Sequence, residues 1–193
     1  METIHTRLTD GLPICIRRVR PEDEARLKAG IALLTPKSRY LRFFSGLREA
    51  PAGVLRRLVD VDDHNHIAWG ALRTDMEDTP AIGVVHAFRS TDDPVEAEFS
   101  VAVIDDYHGR GLARLLTTVL LLDCRREGFE RLLVHVLAEN VAARSFARGL
   151  GAKGVALDGP VQLSEIMIGD AITLLRDQKQ FEPLAPVFTH FGF

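Results

Sequence analysis

Val101-Ala102-Val103-Ile104-Asp105-Asp106-Tyr107-His108-Gly109-Arg110-Gly111-Leu112-Ala113 is the stretch on which the reading of this chain turns. A β-branched run ends at Ile104, and a short polar turn follows. Two glycines then stand where the long apolar run Gly111 to Arg126 (GLARLLTTVLLLDCRR) begins. That order predicts strand, turn and helix. Glycine lets a backbone approach a ligand closely, and the first N–H groups of a helix point at whatever sits before it. Such a turn suits an anionic pyrophosphate. It is not a P-loop, because no Gly-Lys-Ser/Thr follows, nor a dinucleotide fingerprint, which would need glycine at Arg114. The alternative is a tight connection with no ligand, and spacing alone does not separate the two.

Working outward, His66 to Leu72, Ala81 to Phe88 and Val95 to Ile104 are strand-like runs. The polar, proline-ended links between them are short enough for antiparallel hairpins. After the long helix, Arg131 to Leu137 reads as a buried strand. Asn140 caps a helix that Gly151 closes. Lys153 to Ala156 and Val161 to Ile168 suit a final hairpin, followed by a short helix to Lys179 and a proline-containing tail. On the N-terminal side, Pro13 to Val19 reads as the first strand. Helices are expected from Pro21 to about Leu34, over Arg39 to Phe44 after the Thr35-Pro36 start signal, and over Val54 to Val59. The sum is an α/β layer fold with a mixed, mostly antiparallel central sheet of about six or seven strands flanked by helices. Residues 1–12 are expected to be an N-terminal extension, 13–168 the domain, and 169–193 a C-terminal helix and tail.

Composition narrows the function. With 193 residues, 46% apolar and 26% charged, the chain matches a single globular domain. Its net charge of −3 and 7% aromatic content disfavour general nucleic-acid binding. Cys15 and Cys124 are too few for a disulfide framework, which predicts reduced thiols and a cytoplasmic setting. No apolar run approaches the roughly 20 residues that cross a bilayer, and the N-terminus does not read as a signal peptide. His64-Asn65-His66 is a solvated turn sooner than a metal site, so no metal is expected. His86 and His135, inside apolar strands, read as core histidines.

Within this frame, His108-Gly109-Arg110-Gly111-Leu112-Ala113 resembles the acyl-CoA signature of the GNAT superfamily of N-acetyltransferases, (Gln/Arg)-x-x-Gly-x-(Gly/Ala). The element order matches from about Ile14 to Ile168. Ala97-Glu98-Phe99-Ser100-Val101-Ala102-Val103 and Ser38-Arg39-Tyr40-Leu41-Arg42-Phe43-Phe44 are similar to segments of the bacterial protein lysine acetyltransferases, which modify acyl-CoA synthetases. The resemblance implies a single GNAT-like domain with acetyl-CoA as co-substrate. Acetyl-CoA would be held by the backbone of Val101, Ala102 and Val103, by His108, Gly109, Arg110, Gly111, Leu112, Ala113 and Arg114, and by Asn140. It also implies a bulge in the strand that frees an amide for the thioester oxygen. Two positions depart from the pattern: His108 stands where Gln or Arg is usual, and Ala147 where the family often has a proton-donating tyrosine.

Transfer of an acetyl group to an amine needs a base, because a free lysine titrates near ~10.4. Glu96 and Glu98 lie two apart and share one face of a strand, opposite Val95, Ala97, Phe99 and Val101. Buried or close together, one would titrate nearer neutrality; otherwise both are solvated. By resemblance Glu98 aligns with the catalytic glutamate, and Glu96 is the second candidate. Arg110, Arg114 and Arg148 are candidates for the phosphates. The chain therefore reads as an N-acetyltransferase acting on a protein lysine. A small-amine acetyltransferase and a non-catalytic acyl-CoA-binding regulatory domain are the alternatives. The acceptor, the acyl chain, the oligomeric state (a homodimer included) and the role of the tail stay open.

Overall fold

Strands β1 (Thr3–Arg7), β2 (Pro13–Arg18), β3 (His66–Arg73), β4 (Gly83–Arg89) and β5 (Glu96–Val103) pair antiparallel in chain order. The computed structural model describes residues 3–43, 52–177 and 181–193. In the central strands both faces are buried, which is why β3 and β4 read as unbroken apolar runs. Ile67, Trp69, Ala71, Val85 and Ala87 face one apolar cluster, and Ala68 and Val84 the other. The second cluster is closed by α1 (Glu24–Ala32) and α3 (Ala52–Val59), with α2 (Pro36–Phe43) between them in the chain.

From β5 the chain crosses through α4 (Leu112–Arg126) to β6 (Arg131–Leu137), which lies parallel to β5. Helix α5 (Val141–Gly149) follows, and β7 (Lys153–Asp158) and β8 (Val161–Met167) complete a sheet of order β1-β2-β3-β4-β5-β6-β8-β7. Helices α6 (Ile168–Asp177) and α7 (Ala185–His190) pack on α4, so that α4 is buried nearly all round.

The sheet has eight strands, more than the sequence indicates. The addition is β1, inside the residues read as an extension. In Thr3-Ile4-His5-Thr6-Arg7 only Ile4 carries an apolar signal, yet the strand pairs along its whole length with β2. The last residues also belong to the core: Val187 is fully buried, and Phe191 packs in the same cluster as Trp69 and α4. The expected helix ends at Phe44 and Lys179 lie outside the described residues.

A buried carboxylate ties this frame together. Asp123, in the last turns of α4, accepts from Trp69 Nε1 at 2.8 Å and from Arg18 Nη2 at 2.9 Å, joining β2, β3 and α4. Burying a carboxylate is tolerable only with such partners. Asp123→Ala is expected to lower stability by about 3 kcal/mol, and Asp123→Asn by less, in urea unfolding. An alanine variant as stable as the parent would contradict this role.

Candidate active site

The site arises where two parallel strands part. β5 and β6 pair only from Glu96↔Arg131 to Phe99↔Val134. Beyond that point β5 stays paired with β4 as far as Val103, while β6 runs on with β8. The edge of Ser100–Val103 that faces away from β4 therefore has no strand partner, and backbone N–H and C=O groups on such an edge need one. The β4–β5 register has no shift from Gly83↔Val103 to Arg89↔Ala97. This corrects the bulge implied by the resemblance: the free edge comes from splaying.

A cleft of about 1070 Å³ fills the gap between the strands. Val101, Ala102 and Val103 line one wall, and the N-terminal end of α5 with Asn140 lines the other. His108, Gly109, Gly111, Leu112, Ala113 and Arg114 close one end. Gly109 (φ 72°) and Gly111 (φ 82°) both adopt the left-handed conformation that side chains disfavour. Nothing lies within 4 Å of where a β-carbon on Gly109 would sit, so the turn presents bare backbone. Asp105 fastens the other flank, accepting from Thr35 N (3.0 Å), Thr35 Oγ1 (3.0 Å) and Ser38 Oγ (2.6 Å) at the start of α2. Burial alone would raise the Asp105 carboxyl, but these hydrogen bonds outweigh it and hold it below its ordinary value.

The two glutamates of β5 differ sharply. Glu98 lines the cleft with its side chain more than half exposed, its Oε1 3.9 Å from His135 Nδ1. Glu96 does not line it: Arg131 Nε donates to Glu96 at 3.1 Å, and the same guanidinium engages Asp93 and Glu165. Of the two candidate bases, only Glu98 faces the cleft.

The three arginines also separate. Arg114 lines the cleft, whereas Arg110 turns away to Asp10 at 3.0 Å and Arg148 is not among the lining residues. The His108 ring turns back on its own strand end; its Nε2 is 2.9 Å from Val103 O, tying the turn to the end of β5. Asn140 Oδ1 accepts from Ala143 N at 3.1 Å, capping α5 while lining the cleft. Ala147 lines the cleft without a hydroxyl.

Several residues of the site carried no signal as candidates. Arg42 reaches from α2 to donate to Ser100 Oγ at 2.7 Å, beside Glu98. Burial lowers its guanidinium to about 10, and Glu98 opposes that shift, so it stays charged at neutral pH. His135 is exposed in the cleft instead of being a core histidine. His86 is fully buried behind Ser100, its register partner. It contacts His66 (Nδ1 to Nε2, 3.0 Å), and His66 Nδ1 donates to Asp60 O at 2.7 Å. That last bond sets the tautomers: His66 Nε2 accepts, and His86 Nδ1 donates. Burial pushes Cys124 upward, away from reactivity. Among the described residues no group of three or more His, Cys, Asp and Glu gathers around a metal-sized space, and no helix is long and apolar enough to cross a membrane.

Set against known proteins, residues 35–152 match the Acetyltransferase (GNAT) family. The chain is 31% identical over 147 residues to Acetyltransferase PA5475 of Pseudomonas aeruginosa, covering 76% of this chain and 78% of that one. It is 30% identical over 168 residues to Acetyltransferase Pat of Mycolicibacterium smegmatis, covering 87% of this chain but 48% of that protein. Among solved structures, the GNAT domain of S. lividans PAT superposes with a TM-score of 0.78 at 22% identity, over 86% of this chain and 96% of that domain. The same fold is seen with acetyl-CoA in yncA of Salmonella typhimurium (TM-score 0.62, 17% identity, 80% and 94% covered). The glycine turn and the splayed strands frame one cleft in this fold. The chain belongs to the GNAT family and is an acetyl-CoA-dependent N-acetyltransferase.

The histidines behind the site tie its stability to pH. Burial lowers His66 and lowers His86 well below the ordinary histidine value, with Arg42 adding to the effect at His86. Unfolded histidines bind protons below about 6.5, so stability is full above that pH and falls as pH drops below it. The slope approaches about 1.4 kcal/mol per pH unit for each histidine. Depressed carboxylates such as Asp105 add their losses only below about pH 4. Thermal melts between pH 7.5 and 5 should show this decline, and His86→Gln should flatten it. An unchanged slope in that variant would contradict a neutral buried His86.

Proposed function

We propose that the protein acetylates a lysine side chain of a protein acceptor, by direct attack with Glu98 as general base. The observation that carries this reading is that Glu98 and the glycine turn line one continuous cleft along the unpaired edge of β5. The residues present fit acetyl-CoA. The open backbone at Gly109, the charged Arg114 and the amides that begin α4 suit its phosphates. The free edge of Ser100–Val103 suits the amide-rich pantetheine arm, as an added strand would. Its bare N–H groups also suit the thioester oxygen as negative charge develops there. Asn140 lies on the opposite wall, within reach of the same arm.

Glu98 takes the proton from the acceptor ammonium. The neutral amine then forms the N–C bond as the C–S bond breaks; the nitrogen releases its surplus proton to solvent, and the departing thiolate takes one from solvent. Solvent fills that last role because Ala147 supplies no donor. Arg42 lies beside the base, and its positive charge disfavours a nearby ammonium. Glu96 stays with Arg131 as a strut between β5 and β6. The protein-lysine assignment draws on the likeness to Pat and on the two segments around Glu98 and Arg42. A small amine as acceptor, and a homodimer as the working form, remain for experiment to choose.

The test uses labelled acetyl-CoA with a purified acyl-CoA synthetase as the protein acceptor, and spermidine as the small-amine comparison. Label on synthetase lysines is expected. Glu98→Gln should lower transfer at pH 7 by about 100-fold or more while leaving acetyl-CoA affinity within about twofold. Its residual rate should climb with pH as the amine deprotonates unaided. Label appearing only on spermidine would overturn the protein-acceptor reading, and unchanged transfer in Glu98→Gln would overturn the base.

A further inference from the structure

The C-terminal segment places an aromatic ring on the phosphate end of the cleft. Phe181 lines the cleft beside Gly111 and Arg114, and its ring edge lies where a β-carbon on Gly111 would sit. Gly111 is therefore glycine for two reasons: its left-handed φ, and the ring against its α-carbon. The Arg114 guanidinium stands over the Phe181 ring, 4.9 Å from its centroid. Among the described residues Arg114 has no carboxylate within ion-pair distance.

The segment that presents Phe181 is anchored at both ends of its following helix. Pro183 O accepts from Thr6 Oγ1 of β1 at 2.8 Å, Leu184 and Val187 are buried, and Phe191 O accepts from Arg126 Nη2 at 3.1 Å. The ring is thus positioned by the sheet edge and by α4, the same elements that frame the glycine turn.

We propose that Phe181 is a positioning residue for the co-substrate: it holds the Arg114 guanidinium flat against its ring, with the N–H edge directed at a phosphate of acetyl-CoA. A guanidinium stacked on an aromatic face keeps its in-plane donors free, so the stack aligns the cation without consuming the groups that bind the anion. Ordering the side chain beforehand lowers what binding costs in side-chain freedom. The C-terminal tail is by this account part of the co-substrate site. The inference rests on the reading of the cleft as the acetyl-CoA site.

A double-mutant cycle on acetyl-CoA affinity, measured by calorimetry on the full chain, tests it. Phe181→Leu keeps apolar bulk against Gly111 but removes the π face, and is expected to weaken binding about three- to tenfold. Phe181→Tyr restores the ring and should bind within about twofold of the parent. In an Arg114→Gln background, Phe181→Leu should cause no further loss beyond about twofold. A Phe181→Leu protein that binds like the parent would overturn the proposal. So would a Leu effect that adds in full to Arg114→Gln, or an equal loss in Phe181→Tyr. A parent protein that binds no acetyl-CoA would overturn the co-substrate reading beneath it instead.

Discussion

The parting of β5 from β6 after Phe99 is the constraint on which the rest of the molecule depends. Up to that residue the two strands are ordinary parallel neighbours, and beyond it each keeps only its other partner. A sheet that opens in its middle leaves a run of backbone donors and acceptors that must be met by something other than a strand. The opening is held from both sides. Arg131 bridges Glu96 and Glu165 below the split, and Asn140 starts α5 above it. Asp123 holds α4 against β2 and β3, which fixes where the glycine turn delivers the first amides of that helix. The proposed placement of acetyl-CoA rests on this geometry, because the co-substrate is a long chain of amides ending in phosphates.

The charges around the cleft are sorted by depth. Glu98 is exposed in the cleft, Arg42 is half-buried beside it, and the neutral His86–His66 pair is sealed behind Ser100. Uncharged rings behind the Arg42 cation leave its field directed at the cleft. Among the described residues His86 Nε2 and Arg42 Nε are buried without a hydrogen-bond partner behind Ser100, as are Arg89 Nε, Thr117 Oγ1 and His190 Nε2 elsewhere. Arg18 and Asp123, by contrast, form a fully engaged pair whose work is structural.

Much of this was legible in the sequence. The glycine turn and α4 stand out because glycine at a helix start and a leucine-rich run are strong local signals. Asn140 and Thr35 are equally local, since each caps its own helix, and both occupy the cap positions expected of them. What could not be read was settled by distant partners. Glu96 and Glu98 are alike in sequence, and Arg131 with Asp93 decides that Glu96 becomes a strut. Arg110 and Arg114 are alike until Asp10 claims the first. Strand β1 is nearly all polar and is a strand only because β2 offers it an edge. Phe181 lies in a stretch with no periodic pattern, and its place at the turn comes from Thr6 and the buried Leu184 and Val187.

The central claim is that the unpaired edge of β5 and the glycine turn together receive acetyl-CoA. Amide hydrogen exchange, followed residue by residue with and without acetyl-CoA, tests it most directly. The account predicts slowed exchange in two stretches, 100–103 and 109–114, with β1, β2 and β7 unchanged. Protection that spares Ser100–Val103 would contradict it, whatever the affinity, because the edge left open by the splayed strands would then have no part in binding.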